Sequence, residues 1–194
     1  MKPSDIERAI LILRDGGILV FPTETAYGMG CDATNAKAID RLMRIKGRPS
    51  DQSLPVIVDS IEMAMQYARM TATEETLCKR HWPGPFTLIL HDISPELQTD
   101  HALRNEVGMR VSSHPVAQAL VEGLARPLVS TSANVSGQPT CYRVQDVKKQ
   151  FAQNVEHPDD YLDVGALEER PVSMVVEIVN GEAVVHRGDA SALE

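Results

Sequence analysis

No apolar run in this chain approaches the ~20 residues that a membrane-spanning helix needs. The opening Met-Lys-Pro-Ser-Asp-Ile-Glu has no apolar signal core, which argues against export. Aromatic residues are scarce, with one Trp, four Tyr and three Phe in 194 residues. The core must therefore rest on Val, Ile, Leu, Met and Ala. The cysteines are Cys31, Cys78 and Cys141. An odd, scattered set without a Cys-x-x-Cys pair argues against a disulfide framework and against structural zinc. It suits a reducing cytoplasm. There is no repeat, no low-complexity tract and no Pro/Gly-rich linker. The common nucleotide signatures, G-x-x-x-x-G-K-[ST] and G-x-G-x-x-G, are absent, as are the G-x-S-x-G elbow and the zincin motifs.

What remains is an ordinary globular composition, 43% hydrophobic and 24% charged. The length suits a single domain spanning residues 1–194. The net charge of −8 is unevenly placed. Residues 154–194 contain ten acids against Arg170 and Arg187, and so hold the whole imbalance. Residues 37–48 contain five bases and one acid. One concentrated basic segment in an acidic protein suits a local anion better than a broad nucleic-acid coat, although a solvated basic helix face has the same composition.

Periodicity gives the secondary structure. Ser4-x-x-Glu7 reads as a capping box ahead of a helix that Gly16 closes. Ile18–Phe21 is a buried strand ended by Pro22, and Thr23–Gly30 reads as a loop. Asn35–Lys46 is helical, with Ile39, Leu42 and Met43 on one face and Gly47 as its stop. Leu54–Val58 is a strand and Ile61–Met70 a helix. Thr71-x-x-Glu74 opens another helix that ends near Trp82-Pro83-Gly84-Pro85. Phe86–Leu90 and Val107–Val111 are strands. Pro115–Leu124 is a helix, Leu128–Thr131 a strand and Val144–Phe151 a helix. Ser173–Val179 and Ala183–His186 form a hairpin on Asn180-Gly181. Strands and helices alternate, so the class is α/β, and the closing hairpin favours a mixed sheet flanked by helices.

Four segments hold the chemistry-bearing residue types. Phe21-Pro22-Thr23-Glu24-Thr25-Ala26-Tyr27-Gly28-Met29-Gly30 puts hydroxyls at alternate positions after a buried strand, with glycines that admit close backbone approach. Lys46-Gly47-Arg48-Pro49 sets two cations astride a glycine at a helix end, either a fork for phosphate or carboxylate or a dipole-favoured cap. Trp82-Pro83-Gly84-Pro85-Phe86-Thr87 reads as a fixed structural corner. Ser130-Thr131-Ser132-Ala133-Asn134-Val135-Ser136-Gly137 leaves a buried strand with short hydrogen-bonding side chains, able to cradle anionic oxygens.

Taken together and in order, FPTETAYGMGCDA, KGRP, WPGPFTLIL, GMRVSSHPVA and PLVSTSANVSGQPT resemble the YrdC/TsaC family, the threonylcarbamoyl-AMP synthases. The likeness runs from about residue 6 to residue 188. It implies a YrdC/RibB-like fold in its single-domain form, without the extra C-terminal domain of longer members. It also implies a nucleotidyltransferase that joins L-threonine, bicarbonate and ATP into threonylcarbamoyl-AMP and releases pyrophosphate. That product would feed a separate threonylcarbamoyl transferase complex that modifies tRNA. Mg²⁺ would enter with ATP, held by phosphates and water, with no protein metal ligand.

The resemblance also assigns roles. The family's Lys-x-Arg and Ser-x-Asn tetrad falls on Lys46, Arg48, Ser132 and Asn134. Lys46 and Arg48 would meet the triphosphate, and Ser132 and Asn134 would donate to phosphates or the carbamate. Thr25, with Thr23 and Tyr27 beside it, and Ser173 match threonine contacts, and Arg110 would pair with the threonine carboxylate. Thr140 and Arg187 match nucleotide contacts. Departures from the family pattern are Ile57 where longer members often have a histidine, Gln52 for Asn, Met174 within the S-T-V-V segment, and Ser112 where the V-R-V/M-P strand end has proline. His81, His91 and His114 lack a carboxylate at triad spacing and read as structural or solvated, and Cys31 reads as a small packed residue. Two other readings share the fold: a YciO-like paralogue, and a non-catalytic module for tRNA or double-stranded RNA. The retained tetrad weighs against the first. The acidic charge and the lack of aromatic platforms weigh against the second.

Overall fold

The computed structural model describes residues 2–47, 54–97 and 105–193. Its helices are α1 (Pro3–Arg14), α2 (Ala36–Lys46), α3 (Ile61–Tyr67), α4 (Ala72–His81), α5 (Pro115–Leu124) and α6 (Val144–Phe151). Where caps are local, the boundaries follow the sequence. Asn35 accepts from the Ala38 N–H at 3.1 Å, and Gly47 takes the left-handed turn at φ 60°. Thr71 and Glu74 form the reciprocal capping box. Each such cap contributes about 1 kcal/mol. Helix α1 departs from expectation, because Ser4 lies inside it. Pro3, whose ring presets the helical φ, takes the first position, and the Asp5 carboxylate accepts from the Lys2 N–H at 2.9 Å.

The strands divide between two mixed sheets. The first has the order β7-β2-β1-β8, from β1 (Leu19–Pro22), β2 (Tyr27–Gly30), β7 (Thr131–Ser132) and β8 (Asp160–Tyr161). The second has the order β10-β9-β4-β5-β3-β6, from β3 (Val56–Ile57), β4 (Phe86–His91), β5 (Glu106–Arg110), β6 (Leu128–Val129), β9 (Met174–Val179) and β10 (Glu182–Arg187). The α/β class with mixed pairing holds, and one buried apolar core draws on both sheets.

Residues 23–30, read as a loop, instead form a hairpin turn and strand β2, antiparallel to β1 and fully buried. The glycines permit this. A Cβ on Gly30 would stand 1.7 Å from the Val129 carbonyl oxygen, so only glycine lets β2 lie against the 128–132 segment. That segment, read as one strand, is divided. Leu128 and Val129 pair with β3 in the second sheet, while Thr131 and Ser132 pair with β2 in the first. One stretch of chain thus crosses between sheets at Ser130. The Val129 N–H donates to the Cys31 carbonyl at 2.9 Å, tying the sheets again beside the crossing.

The strand expected over 54–58 pairs only at Val56–Ile57, and α3 stops at Tyr67 because Ala68 turns extended to bridge Ile93. Strand β8 has no sequence signal; it is two residues held parallel to β1. The hairpin β9–β10 closes on Asn180 (φ 53°) and Gly181 (φ 87°), both left-handed as a tight I′ turn requires. Trp82 donates its indole N–H to the Phe86 carbonyl at 2.8 Å, the fixed corner that the sequence suggests. Cys31, Cys78 and Cys141 are unpaired and buried, and burial raises the thiol pKa of each.

Candidate active site

A cleft of about 360 Å³ opens between the two sheets. Its first wall is the tip of the β1–β2 hairpin. Thr23 Oγ1 donates to the Ala26 carbonyl at 2.7 Å and accepts from the Thr25 and Ala26 N–H groups, each at 3.3 Å. The Thr25 hydroxyl oxygen lies 3.1 Å from that of Thr23, and it keeps hydrogen-bonding capacity for a ligand. Tyr27 also borders the cleft, but its hydroxyl points into the protein. It donates to the Gly165 carbonyl at 2.8 Å and accepts from the Val164 N–H at 3.0 Å, and burial raises its pKa.

The floor is the crossing segment, which presents Ser130, Thr131 and Ser132. Lys46 fixes the turn after it. This 3%-exposed ammonium donates to the Ser132 carbonyl and, at 3.0 Å, to the Asn134 carbonyl. Asn134 gives both amide protons to carbonyls, those of Val135 at 2.9 Å and Gln138 at 2.8 Å. Its buried Oδ1 has no hydrogen-bond partner among the described residues. Both amide protons of Asn134 are thus held by backbone carbonyls, whereas the sequence suggests that they donate to phosphate or carbamate. Lys46 and Asn134 shape the floor from beneath, whereas Ser132 faces the cleft. Arg48 lies outside the described residues, as does Gln52.

The second wall comes from the ends of β5, β9 and β10. It consists of Arg110, Ser173 and Arg187, with Thr140 and Tyr142 at the margin. Arg187 donates from Nε to the Ser173 carbonyl and from Nη2 to Ser173 Oγ, both at 2.9 Å. Thr87 Oγ1 donates to Ser173 Oγ at 3.3 Å. Burial lowers the pKa of both guanidiniums; for Arg110, Glu24 partly offsets the burial and nearby Arg187 adds to it. Arginine stays charged regardless. Two cations bordering one cleft therefore make it a site for anions. Ile57 and Met174 sit in β3 and β9.

The sequence reading passed over Glu24, Pro55, Tyr142 and Val172. Glu24 had one signal, as the sole acid in a hydroxyl-rich stretch following a buried strand. The basic segment resolves differently from expectation. Arg41 forks onto Asp159 at 2.5 and 2.9 Å, and Arg44 meets Glu156 at 2.9 Å. The acidic stretch near 156–159 therefore neutralises this helix face, leaving Lys46 turned toward the floor. The histidines have structural contacts. His114 caps α5, accepting from the Val116 N–H at 3.2 Å; His81 stacks on Phe86; and His91 pairs with Glu177 at 3.0 Å.

Fold and site define an α/β protein with an anion-receiving cleft between two mixed sheets. The chain belongs to the Sua5/YciO/YrdC family, whose model, described as "Telomere recombination", matches residues 11–188. It is 35% identical over 155 residues to a threonylcarbamoyl-AMP synthase of Vibrio vulnificus, covering 78% of this chain and 83% of the relative. It is also 35% identical over 156 residues to one of Halorhodospira halophila, covering 80% and 82%. Among solved structures, P. abyssi Sua5 complexed with L-threonine superposes with a TM-score of 0.84 at 31% identity, covering 96% of this chain and 54% of that one. E. coli YciO superposes with a TM-score of 0.85 at 28% identity, covering 100% and 94%. The chain thus spans about half the length of Sua5. No described helix is long and apolar enough to cross a membrane.

Proposed function

We propose that this chain is a threonylcarbamoyl-AMP synthase, a nucleotidyltransferase that condenses L-threonine, bicarbonate and MgATP for tRNA modification. The observation that carries this reading is the cleft itself. A wall of threonine hydroxyls faces Arg110 and Arg187 across about 360 Å³, in a chain 35% identical to relatives bearing that name. Carboxylated threonine presents two anionic groups, and its carbamate oxygen must attack the α-phosphorus while the bond to pyrophosphate breaks. Bringing anions together requires fixed cations and oriented donors.

On this reading Arg110 takes the threonine carboxylate, and Thr25 hydrogen-bonds to the amino acid beside it, with Thr23 holding the turn. Ser173 keeps Arg187 aimed at the nucleotide, with Thr140 at the rim. Ser132 donates to phosphate or carbamate. Lys46 and Asn134 hold the floor in shape, and Arg48 is assigned to the triphosphate by its place in the Lys-x-Arg motif alone. Tyr27 supports the first wall rather than touching threonine through its hydroxyl. The magnesium ion travels with ATP and needs no protein carboxylate. Three buried free cysteines suit a reducing compartment such as the cytoplasm.

Purified protein should release pyrophosphate from ATP, Mg²⁺ and bicarbonate only when L-threonine is present, with a threonylcarbamoyl-adenylate mass among the products. Lys46→Ala should abolish this turnover. A YciO-like role is the second reading, favoured by the end-to-end match to E. coli YciO. Folded, ATP-binding protein without threonine-dependent turnover would select it. Salt-dependent RNA binding without turnover would instead select a binding module.

A further inference from the structure

Glu24 sits at the tip of the β1–β2 hairpin but does not line the cleft with the threonines on either side of it. Its side chain, 6% exposed, reaches to the second wall, where Oε1 lies 3.7 Å from Arg110 Nη1. The other oxygen, Oε2, accepts from the hydroxyl of Ser112, a residue with no solvent exposure. Ser112 Oγ in turn accepts from the His114 N–H at 3.2 Å, which leaves its proton for Glu24. The tip that bears Glu24 is pinned by the three hydrogen bonds of Thr23 described above. A carboxylate at this depth is tolerated only with partners.

Two buried atoms of this pair have no hydrogen-bond partner among the described residues, Glu24 Oε1 and Arg110 Nε. The guanidinium is therefore attracted to Glu24 without being consumed by it. Glu24 fixes which way Arg110 points and leaves donor capacity for an incoming carboxylate. A bidentate fork on Arg110 would have closed the site to substrate.

We infer that Glu24, oriented by the Ser112 hydroxyl, is a positioning residue that aims Arg110 at the substrate carboxylate and sets the spacing of the two cleft walls. This rests on the synthase reading for its substrate, but the geometry can be tested without it. In steady-state kinetics, Glu24→Gln should raise the KM for L-threonine about ten-fold or more, because a charge-assisted contact is lost. The kcat and the KM for ATP should stay within about two-fold. Ser112→Ala should raise the same KM about three-fold, and Glu24→Asp, too short to reach, should resemble Glu24→Gln.

The second readout is the ¹⁵N–¹H resonance of Arg110 Nε, assigned by its absence in Arg110→Lys. It should shift or broaden in Glu24→Gln and in Ser112→Ala. An unmoved resonance in folded variants overturns the inference, as does an equal rise in the KM values for threonine and ATP. If the wild type makes no threonylcarbamoyl-adenylate, the synthase reading fails while the resonance still decides the role of Glu24. If Glu24→Gln does not fold, Ser112→Ala, which leaves the charge pair in place, decides it.

Discussion

The two walls of the cleft are built on opposite plans. The first-sheet wall is made of neutral hydroxyls on a hairpin whose strands are buried throughout. The second-sheet wall carries its charge on arginines at strand ends, and β10, which bears Arg187, is largely exposed. A neutral hydroxyl can be packed into a core at small cost once hydrogen-bonded, so the first wall can be rigid. A guanidinium loses much more on burial, so the second wall leaves Arg187 on an exposed strand and gives the buried Arg110 an acidic neighbour, Glu24. Orientation belongs to one wall and charge to the other, and Glu24 is the side chain of the first that reaches the second.

Removing charge from the second wall should have the largest effect. Arg110→Ala should lower kcat/KM for threonine by at least about 100-fold and, by leaving Glu24 unpaired, lower the melting temperature as well. Steady-state kinetics with a melting curve measures both. If the two walls contributed alike, Thr25→Val would match it. Disturbing the first wall without touching a ligand group comes next. Gly30→Ala drives a methyl group into the Val129 carbonyl and should cost about 2 kcal/mol, a fall of roughly 4–8 °C by calorimetry.

Thr25→Val should raise the KM for threonine only about five-fold, the worth of a neutral hydrogen bond. Asp159→Asn, remote from both walls, should leave the kinetics unchanged. Burial alone would raise the Asp159 pKa, but the Arg41 fork and the Ile18 N–H outweigh it and hold the pKa below its ordinary value. A depressed carboxylate stabilises the fold above its unfolded pKa near 4 and loses that contribution as pH falls through the folded value. Urea titrations should therefore find the variant about 1 kcal/mol weaker near pH 7, allowing for the group's partial exposure, with the gap closing in strong acid.

How much of this was legible beforehand depended on the range of the forces involved. The helix Ala36–Lys46 is bounded by Asn35 and Gly47, its own neighbours, and Pro115 starts its helix by fixing its own backbone. Both were readable. Strand β2 was not, because its glycines matter only through Val129, and β8 exists only because β1 lies beside it. In the site, the hydroxyls and arginines announced themselves by residue type. Glu24 did not, since its partners Arg110 and Ser112 are far away in sequence. Asn134 was recognisable as polar, but where its amide protons go is decided by the fold of the turn, which brings up the carbonyls of Val135 and Gln138. The basic segment misled because its counter-charges lie more than a hundred residues later.

The crossing of residues 128–132 from one sheet to the other makes the gap between the walls a matter of covalent length. At the hairpin tip the walls meet through side chains, Glu24 with Arg110 and Ser112. Along this edge the gap is measured out in peptide units, each about 3.3 Å long. The segment therefore works as a ruler. A residue added to it must either be absorbed as a bulge in one of the two sheets or move one wall against the other.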